Sequence, residues 1–166
     1  MSITTSIQRT LELPGHQSLM SRIAAPDATL APFTTDGCSG GLSTAWRVAA
    51  DVFPDFEATH EGRPPWERCC VAHDRAYHEA GRATEAAQSF DARLAADDAL
   101  RYCVIAEGFT RRTELAEAYG VDATSVDRAY AAIAEAMFNA VRLGGGPCTG
   151  LPWRWGFGYP ACVPGL

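Results

Sequence analysis

Apolar residues recur at helical spacing along most of this chain, and no stretch alternates polar and apolar residues as a strand would. Between Leu42 and Phe53 they mark one face of a helix that stops at Pro54. A longer helix is predicted over residues 65–80, with Gly81 as its C-terminal stop. The pattern therefore predicts a mainly α-helical protein.

A second long helix is predicted over residues 84–107, where Gly108 would end it, and a short helix follows over residues 112–119. Thr124 and Asp127 resemble a capping box that opens a third long helix, which reaches Leu143 and stops at the next glycines. The core candidates of the second helix are Phe90, Leu94, Leu100 and Ile105.

The two ends of the chain lack this regularity. Residues 1–33 are expected to form an irregular or partly helical leader, and residues 147–166 form a tail rich in proline, glycine and aromatic residues. No internal repeat or linker divides the sequence, so residues 1–166 are predicted to form a single domain.

Composition narrows the possible functions. The chain has 166 residues, 47% of them hydrophobic, which suits a domain with a real core. Its net charge of −6 argues against nucleic-acid binding and disfavours purely electrostatic docking on anionic lipid. No stretch approaches the roughly 20 apolar residues of a membrane span, so none is predicted.

Six cysteines suggest disulfides and an oxidising compartment, so a secreted or extracytoplasmic protein is expected. Residues 1–35 contain no apolar run typical of a signal peptide, and prolines interrupt the segment. Three explanations stay open: a longer precursor, unconventional export, or thiols that remain reduced.

The most informative segment is residues 69–77, on the first long helix. At about 100° per residue, two cysteines and three polar residues fall on one side of it. Around that side, His73 borders Cys69 and Asp74 borders Cys70. The five residues are Cys69, Cys70, His73, Asp74 and Tyr77.

The short link between the first two long helices predicts that they run antiparallel, side by side. A disulfide between Cys69 and Cys103 would then bring Asp97 within reach of His73. The neighbouring Asp98 is the alternative, and the register favours Asp97. Of the fifteen pairings that six cysteines allow, the preferred set is Cys69–Cys103, Cys38–Cys70 and Cys148–Cys162.

This arrangement has a chemical meaning. A histidine whose second ring nitrogen is held by a carboxylate can serve as a general base. A carboxylate that faces backbone carbonyls in a glycine-rich loop forms an all-oxygen site, which suits Ca²⁺ better than Zn²⁺. The residues thus indicate calcium-assisted ester hydrolysis without a covalent intermediate.

The motif Cys-Cys-x-x-His-Asp-x-x-Tyr over residues 69–77 resembles the active-site helix of the secreted phospholipase A2 superfamily. Residues 36–41 resemble its calcium loop, and Asp97, six residues before Cys103, matches the aspartate of its second helix. The resemblance covers residues 34–41 and 65–107.

The resemblance implies that His73 is the base, that Asp97 orients it, and that Tyr77 bonds to Asp97. The implied reaction hydrolyses the sn-2 ester of glycerophospholipids at a membrane or micelle interface and releases fatty acid and lysophospholipid. A monomer is expected. The implied calcium ligands are Asp74 and the carbonyls of Gly37, Ser39 and Gly41, or the side chain of Asp36 as in some bacterial and fungal members.

The chain departs from the family pattern at two points. Ala76 stands where many members have a third cysteine, and the loop is not the glycine-alternating version of the animal enzymes. The alternative function is a phospholipase-like binding or toxin module without turnover.

Simpler interpretations apply to several residues. A zinc site built from Cys69, Cys70 and His73 is a further alternative, although the usual spacing of zinc ligands is missing. Three histidines without a partner pattern, His16, His60 and His78, are expected at the surface. The tail aromatics could enter a membrane interface or pack on the helices, and they are Trp153, Trp155, Phe157 and Tyr159.

Overall fold

The computed structural model describes residues 3–38 and 64–163, with side chains from residue 5 onward. Within these ranges the chain is helical and contains no strand, which confirms the mainly α prediction. A short 3-10 turn, Ala80–Arg82, follows the second helix. The helices are α1 Ile3–Ile23, α2 Glu67–His78, α3 Ala86–Tyr119 and α4 Ala123–Gly144. Some of the predicted features lie outside the described residues. They are the helix over residues 42–53, His60, and the loop residues Ser39 and Gly41.

The N-terminal segment is more regular than predicted. The leader over residues 1–33, expected to be irregular or partly helical, is helical over its first two thirds, because α1 continues through Pro14. Proline leaves the carbonyl four residues earlier without its helical donor. That carbonyl belongs to Thr10, an exposed residue, where water can replace the donor. On another face, His16 and Leu19 are fully buried (0% exposed), and this packing favours the helix.

Helix α3 is also longer than predicted. The expected stop at Gly108 and the separate helix over residues 112–119 are wrong, since α3 runs unbroken through both. A Cβ atom on Gly108 would lie 2.3 Å from Cγ of Tyr130 on α4. The glycine therefore permits close packing of two helices and does not mark an end. Ile105, a predicted core residue, is 38% exposed.

Helix α4 begins with a different cap from the predicted one. The Asp122 carboxylate accepts hydrogen bonds from the backbone N–H of Ser125 at 2.8 Å and from its hydroxyl at 2.9 Å. Asp122 thus occupies the N-cap position, two residues before the predicted Thr124, and satisfies donors that a helix start leaves open.

The chain divides into two compact units. The terminal unit comprises Met1–Thr35, Asp74–Ala96 and Arg142–Leu166, and the central unit comprises Asp36–His73 and Asp97–Val141. In sequence, the division falls within α2, within α3 and near the end of α4. The prediction of a single domain stays a prediction.

Each unit has its own core. In the central unit, α2, α3 and α4 bury a cluster around Trp66 (1% exposed). Other members of that cluster are Leu100, Val104, Tyr130, Ile133 and Met137. In the terminal unit, Leu19 of α1 and Tyr77 of α2 pack around Trp155 of the tail (0% exposed).

All six cysteines form disulfides, and the pairing is the preferred one: Cys38–Cys70, Cys69–Cys103 and Cys148–Cys162. The alternative zinc site is therefore wrong, because a cysteine in a disulfide has no thiolate to offer a metal. Three disulfides are compatible with an extracellular protein. Among the described residues, none of the helices is both long and apolar enough to cross a bilayer.

Candidate active site

The central feature of the site is a buried pair of side chains from two helices. Nε2 of His73, on α2, lies 2.8 Å from Oδ1 of Asp97, on α3. His73 is 5% exposed and Asp97 is 0% exposed. The Cys69–Cys103 disulfide joins the same two helices one turn before His73. We call His73 and Asp97 the dyad.

The alternative aspartate is placed differently. Asp98 pairs with Arg101, one turn further along α3, at 2.6 Å. The prediction that Asp97 rather than Asp98 lies against His73 is confirmed.

The hydrogen bond sets the chemistry of the imidazole. A carboxylate accepts hydrogen bonds, so Nε2 of His73 carries the proton that is donated to Asp97. The neutral ring then has its lone pair on Nδ1. A histidine held in this tautomer can take a proton from a nucleophile, as a general base does.

The start of the predicted calcium loop requires glycine. Gly37 has a φ of +71°, a conformation that favours glycine. A Cβ atom there would lie 2.9 Å from Oε1 of Glu67, at the start of α2. The next residue, Cys38, is bonded to Cys70 on α2. Within the central unit, one disulfide thus ties the loop to α2 and another ties α2 to α3.

The predicted calcium ligands are only partly visible. In the terminal unit, Oδ2 of Asp74 accepts a 2.6 Å hydrogen bond from the hydroxyl of Thr35, the residue just before Asp36. Asp36 itself is exposed. Among the described residues, no group of three or more His, Cys, Asp or Glu side chains could hold a metal.

These donors fit one class of metal. The Asp74 carboxylate and the Thr35 hydroxyl that bonds to it offer only oxygen atoms, which Ca²⁺ prefers.

Tyr77, the last residue of the motif, is held from two sides. Its hydroxyl oxygen accepts a hydrogen bond from Nε of Arg93 at 3.1 Å, and the residue is 2% exposed. Its ring meets the indole of Trp155 edge to face, with centroids 4.9 Å apart. The bond from Tyr77 to Asp97 stays a prediction.

The sequence reasoning missed Arg93 and the cluster around it. Arg93 is 0% exposed and forms an ion pair with Glu12 of α1. Arg142 bonds to the other oxygen of Glu12 at 2.8 Å. One signal could have found Arg93: it precedes Asp97 by four residues and so shares its helical face.

The cluster shifts the pKa values of two of its members, Glu12 and His16. Burial opposes ionisation of Glu12, but hydrogen bonds and the charges of Arg93 and Arg142 outweigh it, so its pKa is lowered. Burial lowers the pKa of His16, and this effect outweighs the neighbouring Glu12. Glu12 is therefore ionised in the folded protein, and His16 resists protonation.

Two of the three histidines expected at the surface are buried, so that expectation is wrong for them. His16 is 0% exposed, with Nδ1 lying 2.8 Å from Oγ of Ser89. His78 is 3% exposed and packs edge to face between Phe33 and Phe157. Ser89, Phe33 and Phe157 come from distant segments, so no local pattern in the sequence signalled these contacts.

The tail aromatics do not behave as one group. Trp155 is fully buried and donates its indole N–H to Oγ of Ser89 at 2.9 Å. Trp153, by contrast, is 39% exposed. Packing therefore accounts for Trp155, and the question of membrane insertion applies to Trp153.

Comparison with family models, characterised proteins and solved structures finds no match to this chain.

Proposed function

We propose that this protein is a calcium-dependent phospholipase A2, which hydrolyses the sn-2 ester of glycerophospholipids. One observation carries the proposal: the buried 2.8 Å contact between His73 and Asp97. A buried histidine and aspartate on neighbouring helices, beside a disulfide, form a base with a fixed orientation. The motif over residues 69–77 gives that base its expected substrate class.

The proposed architecture follows from the same contacts. Position 69 on α2 is bonded to position 103 on α3, and position 73 contacts position 97. As residue numbers rise along α2, the numbers of the contacting residues on α3 fall, which supports an antiparallel pair. The active site would lie on these two helices, beside the glycine-rich calcium loop.

In the proposed reaction, Nδ1 of His73 removes a proton from the attacking water. Asp97 keeps the ring in the required tautomer and stabilises the imidazolium that forms. Tyr77 donates to Asp97. The protonated His73 then returns its proton to the leaving alkoxide, so the reaction releases fatty acid and lysophospholipid.

Asp74 and the carbonyls of Gly37, Ser39 and Gly41, or the side chain of Asp36, would hold calcium. Bound there, Ca²⁺ would stabilise negative charge on the ester oxygen. The protein is proposed to be a secreted monomer that acts on phospholipid at a membrane or micelle surface.

The test is the release of fatty acid from phosphatidylglycerol vesicles, measured with calcium and with a chelator. We expect activity only with calcium, and a loss of on the order of 10²–10⁴-fold in His73→Ala. Asp74→Asn should raise the calcium concentration needed for half-maximal activity. Thermal unfolding of each variant separates lost chemistry from lost folding.

Two results would overturn the proposal. Hydrolysis that persists with chelator and in His73→Ala would exclude the mechanism. Calcium-dependent binding to vesicles without any release of fatty acid would favour the non-catalytic module.

A further inference from the structure

The tail of the terminal unit presents a surface without charge. A fifth of the whole chain is charged, but Arg154 is the single charged residue of positions 143–166. Each exposed residue described in this segment is uncharged, and most are apolar. Surfaces that meet only water are usually rich in charged side chains. The exposed apolar residues are Leu143, Pro152, Trp153, Ala161 and Val163.

Two of these residues lie close together. Leu143, in the last turn of α4, is 89% exposed, and Trp153 is 39% exposed. A Cβ atom on Gly144 would lie 3.5 Å from Nε1 of Trp153, so the indole lies over the residue next to Leu143. The backbone N–H of Trp155 donates to the carbonyl of Gly145 at 2.8 Å, which holds the tail against the end of α4. We call Leu143, Pro152 and Trp153 the neutral patch.

The two indoles of the tail use their N–H groups differently. Trp155 donates to Oγ of Ser89 at 2.9 Å, whereas the Trp153 N–H has no acceptor in the part of the chain that the structure describes. A half-exposed indole of this kind suits the boundary of a lipid bilayer. Its ring can contact acyl chains there while its N–H meets headgroups or water.

A cation lies in the turn that carries Trp153. Arg154 is 8% exposed and donates to the carbonyls of Leu151 at 3.3 Å and Tyr159 at 2.9 Å. Its Nε has no acceptor among the described residues. Burial lowers the pKa of Arg154, and no nearby carboxylate opposes that shift. Arginine stays protonated, so this turn has a positive charge that a phosphate group would complement.

We propose that the neutral patch docks the terminal unit on a phospholipid surface, where Leu143 and Trp153 enter the boundary between headgroups and acyl chains and headgroup phosphates lie over the turn that holds Arg154. The choice of phospholipid as the occupant rests on the proposed function. The net charge of −6 disfavours electrostatic docking, so an uncharged apolar patch fits this protein. The inference concerns binding alone and does not depend on where the dyad lies.

The test is co-sedimentation of the full chain with phosphatidylcholine vesicles in chelator, where the proposed enzyme is inactive. Wild-type protein should bind, and its affinity should change little between low and high salt, because apolar contacts are not screened. Trp153→Ser and Leu143→Ser should each weaken binding about tenfold, since each removes a large apolar side chain from the lipid.

Phe109→Ser is the matched control. Phe109 is 63% exposed on α3, in the central unit, but its ring lies beneath the guanidinium of Arg112 at 4.7 Å. It is therefore an exposed aromatic residue beside a charge, and its replacement should leave binding unchanged. If all three serine variants weaken binding equally, or none does, the inference is wrong. A wild-type dimer that Leu143→Ser dissociates, without vesicle binding, would identify the patch as a contact between copies and also overturn the inference.

The role of Arg154 has a separate measurement. Wild-type protein should bind dodecylphosphocholine micelles about tenfold more tightly than dodecyl maltoside micelles, which contain no phosphate. Arg154→Gln should lose this preference, with thermal unfolding as the check on folding. Equal binding of wild-type protein to both micelles would overturn phosphate recognition without the need for a variant.

These measurements also separate the inference from the proposed function. Vesicle binding that requires Leu143 and Trp153, without any release of fatty acid in calcium, would overturn the proposed function alone. Calcium-dependent release of fatty acid by a chain whose vesicle binding ignores both substitutions would overturn the neutral patch alone.

Discussion

The two units of the molecule bury polar groups in opposite ways. The central unit places the dyad among apolar side chains and joins its segments by two disulfides, which span 32 and 34 residues. The terminal unit has one disulfide, which spans 14 residues, and it buries a cluster of charges instead. That cluster contains Arg93, Glu12, Arg142 and His16.

This difference separates two ways of fixing a structure. In the central unit, disulfides stabilise the fold by restricting the unfolded chain. They do not require any further buried charge beside the dyad. A buried ion cluster must satisfy each charge with a partner, because an unpaired charge is costly in a protein interior. The central unit should therefore be sensitive to reductant, and the terminal unit to pH and to single charge changes.

The largest expected effect is on the dyad of the central unit. Asp97→Asn should reduce fatty acid release on the order of 10²–10⁴-fold, because the amide no longer holds His73 in the required tautomer. Asp98→Asn is the matched control, since that side chain makes a partly exposed pair with Arg101. Equal losses in the two variants would contradict the assignment of the dyad.

The disulfides give the next largest effect. Replacing Cys69 and Cys103 by alanine should cost about 4 kcal/mol of unfolding free energy, and replacing Cys148 and Cys162 about 3 kcal/mol. Urea unfolding measures both. The first pair should also lose activity in conditions where the protein stays folded, because that disulfide flanks the dyad. If only the second pair affected activity, the contrast between the units would be wrong.

Helix packing in the central unit gives a smaller effect. Gly108→Ala places a Cβ 2.3 Å from Tyr130, so we expect a loss of about 1–3 kcal/mol despite alanine's better helix propensity. Gly120→Ala is the control, since it meets nothing within 4 Å but has a φ of +64°. The positive φ alone should cost about 1–2 kcal/mol, with no contribution from packing. Thermal unfolding that shows Gly108→Ala to be stabilising would contradict the close helix contact.

The smallest effect is a pH dependence that belongs to the terminal unit. The pKa of His16 is lowered from its ordinary value of 6.5, so below this pH the unfolded chain binds a proton that the folded chain excludes. Stability should therefore fall as pH drops below 6.5. Glu12, whose pKa is lowered from 4.5, should add a further loss as pH falls below that value.

Unfolding in urea at a series of pH values measures this dependence. His16→Gln keeps a polar partner for Ser89 and should remove the first part of the decline, while the loss below pH 4.5 remains. A decline that is unchanged in His16→Gln would show that other groups cause it.

The sequence predicted the helical class, the three disulfides and the contact of His73 with Asp97. The Cys69–Cys103 and His73–Asp97 contacts depend on residues at fixed helical spacing, and the other two disulfides followed once that register was chosen. It failed where distant segments decide the outcome. Pro14 and Gly108 suggested interruptions by their local preferences, but the packing of Leu19 and Tyr130 overrides those preferences. Glu12 lies 81 residues from Arg93 and Ser89 lies 73 residues from His16, so no local pattern identifies these two contacts.

Each core contains one fully enclosed indole: Trp66 in the central unit (1% exposed) and Trp155 in the terminal unit (0% exposed). Indole emission shifts to the red when water reaches the ring. Comparing Trp66→Phe with Trp155→Phe by intrinsic fluorescence in denaturant therefore gives each half of the molecule its own optical reporter. Coincident transitions would mean that the halves melt cooperatively, and separate ones would reveal a partly folded intermediate.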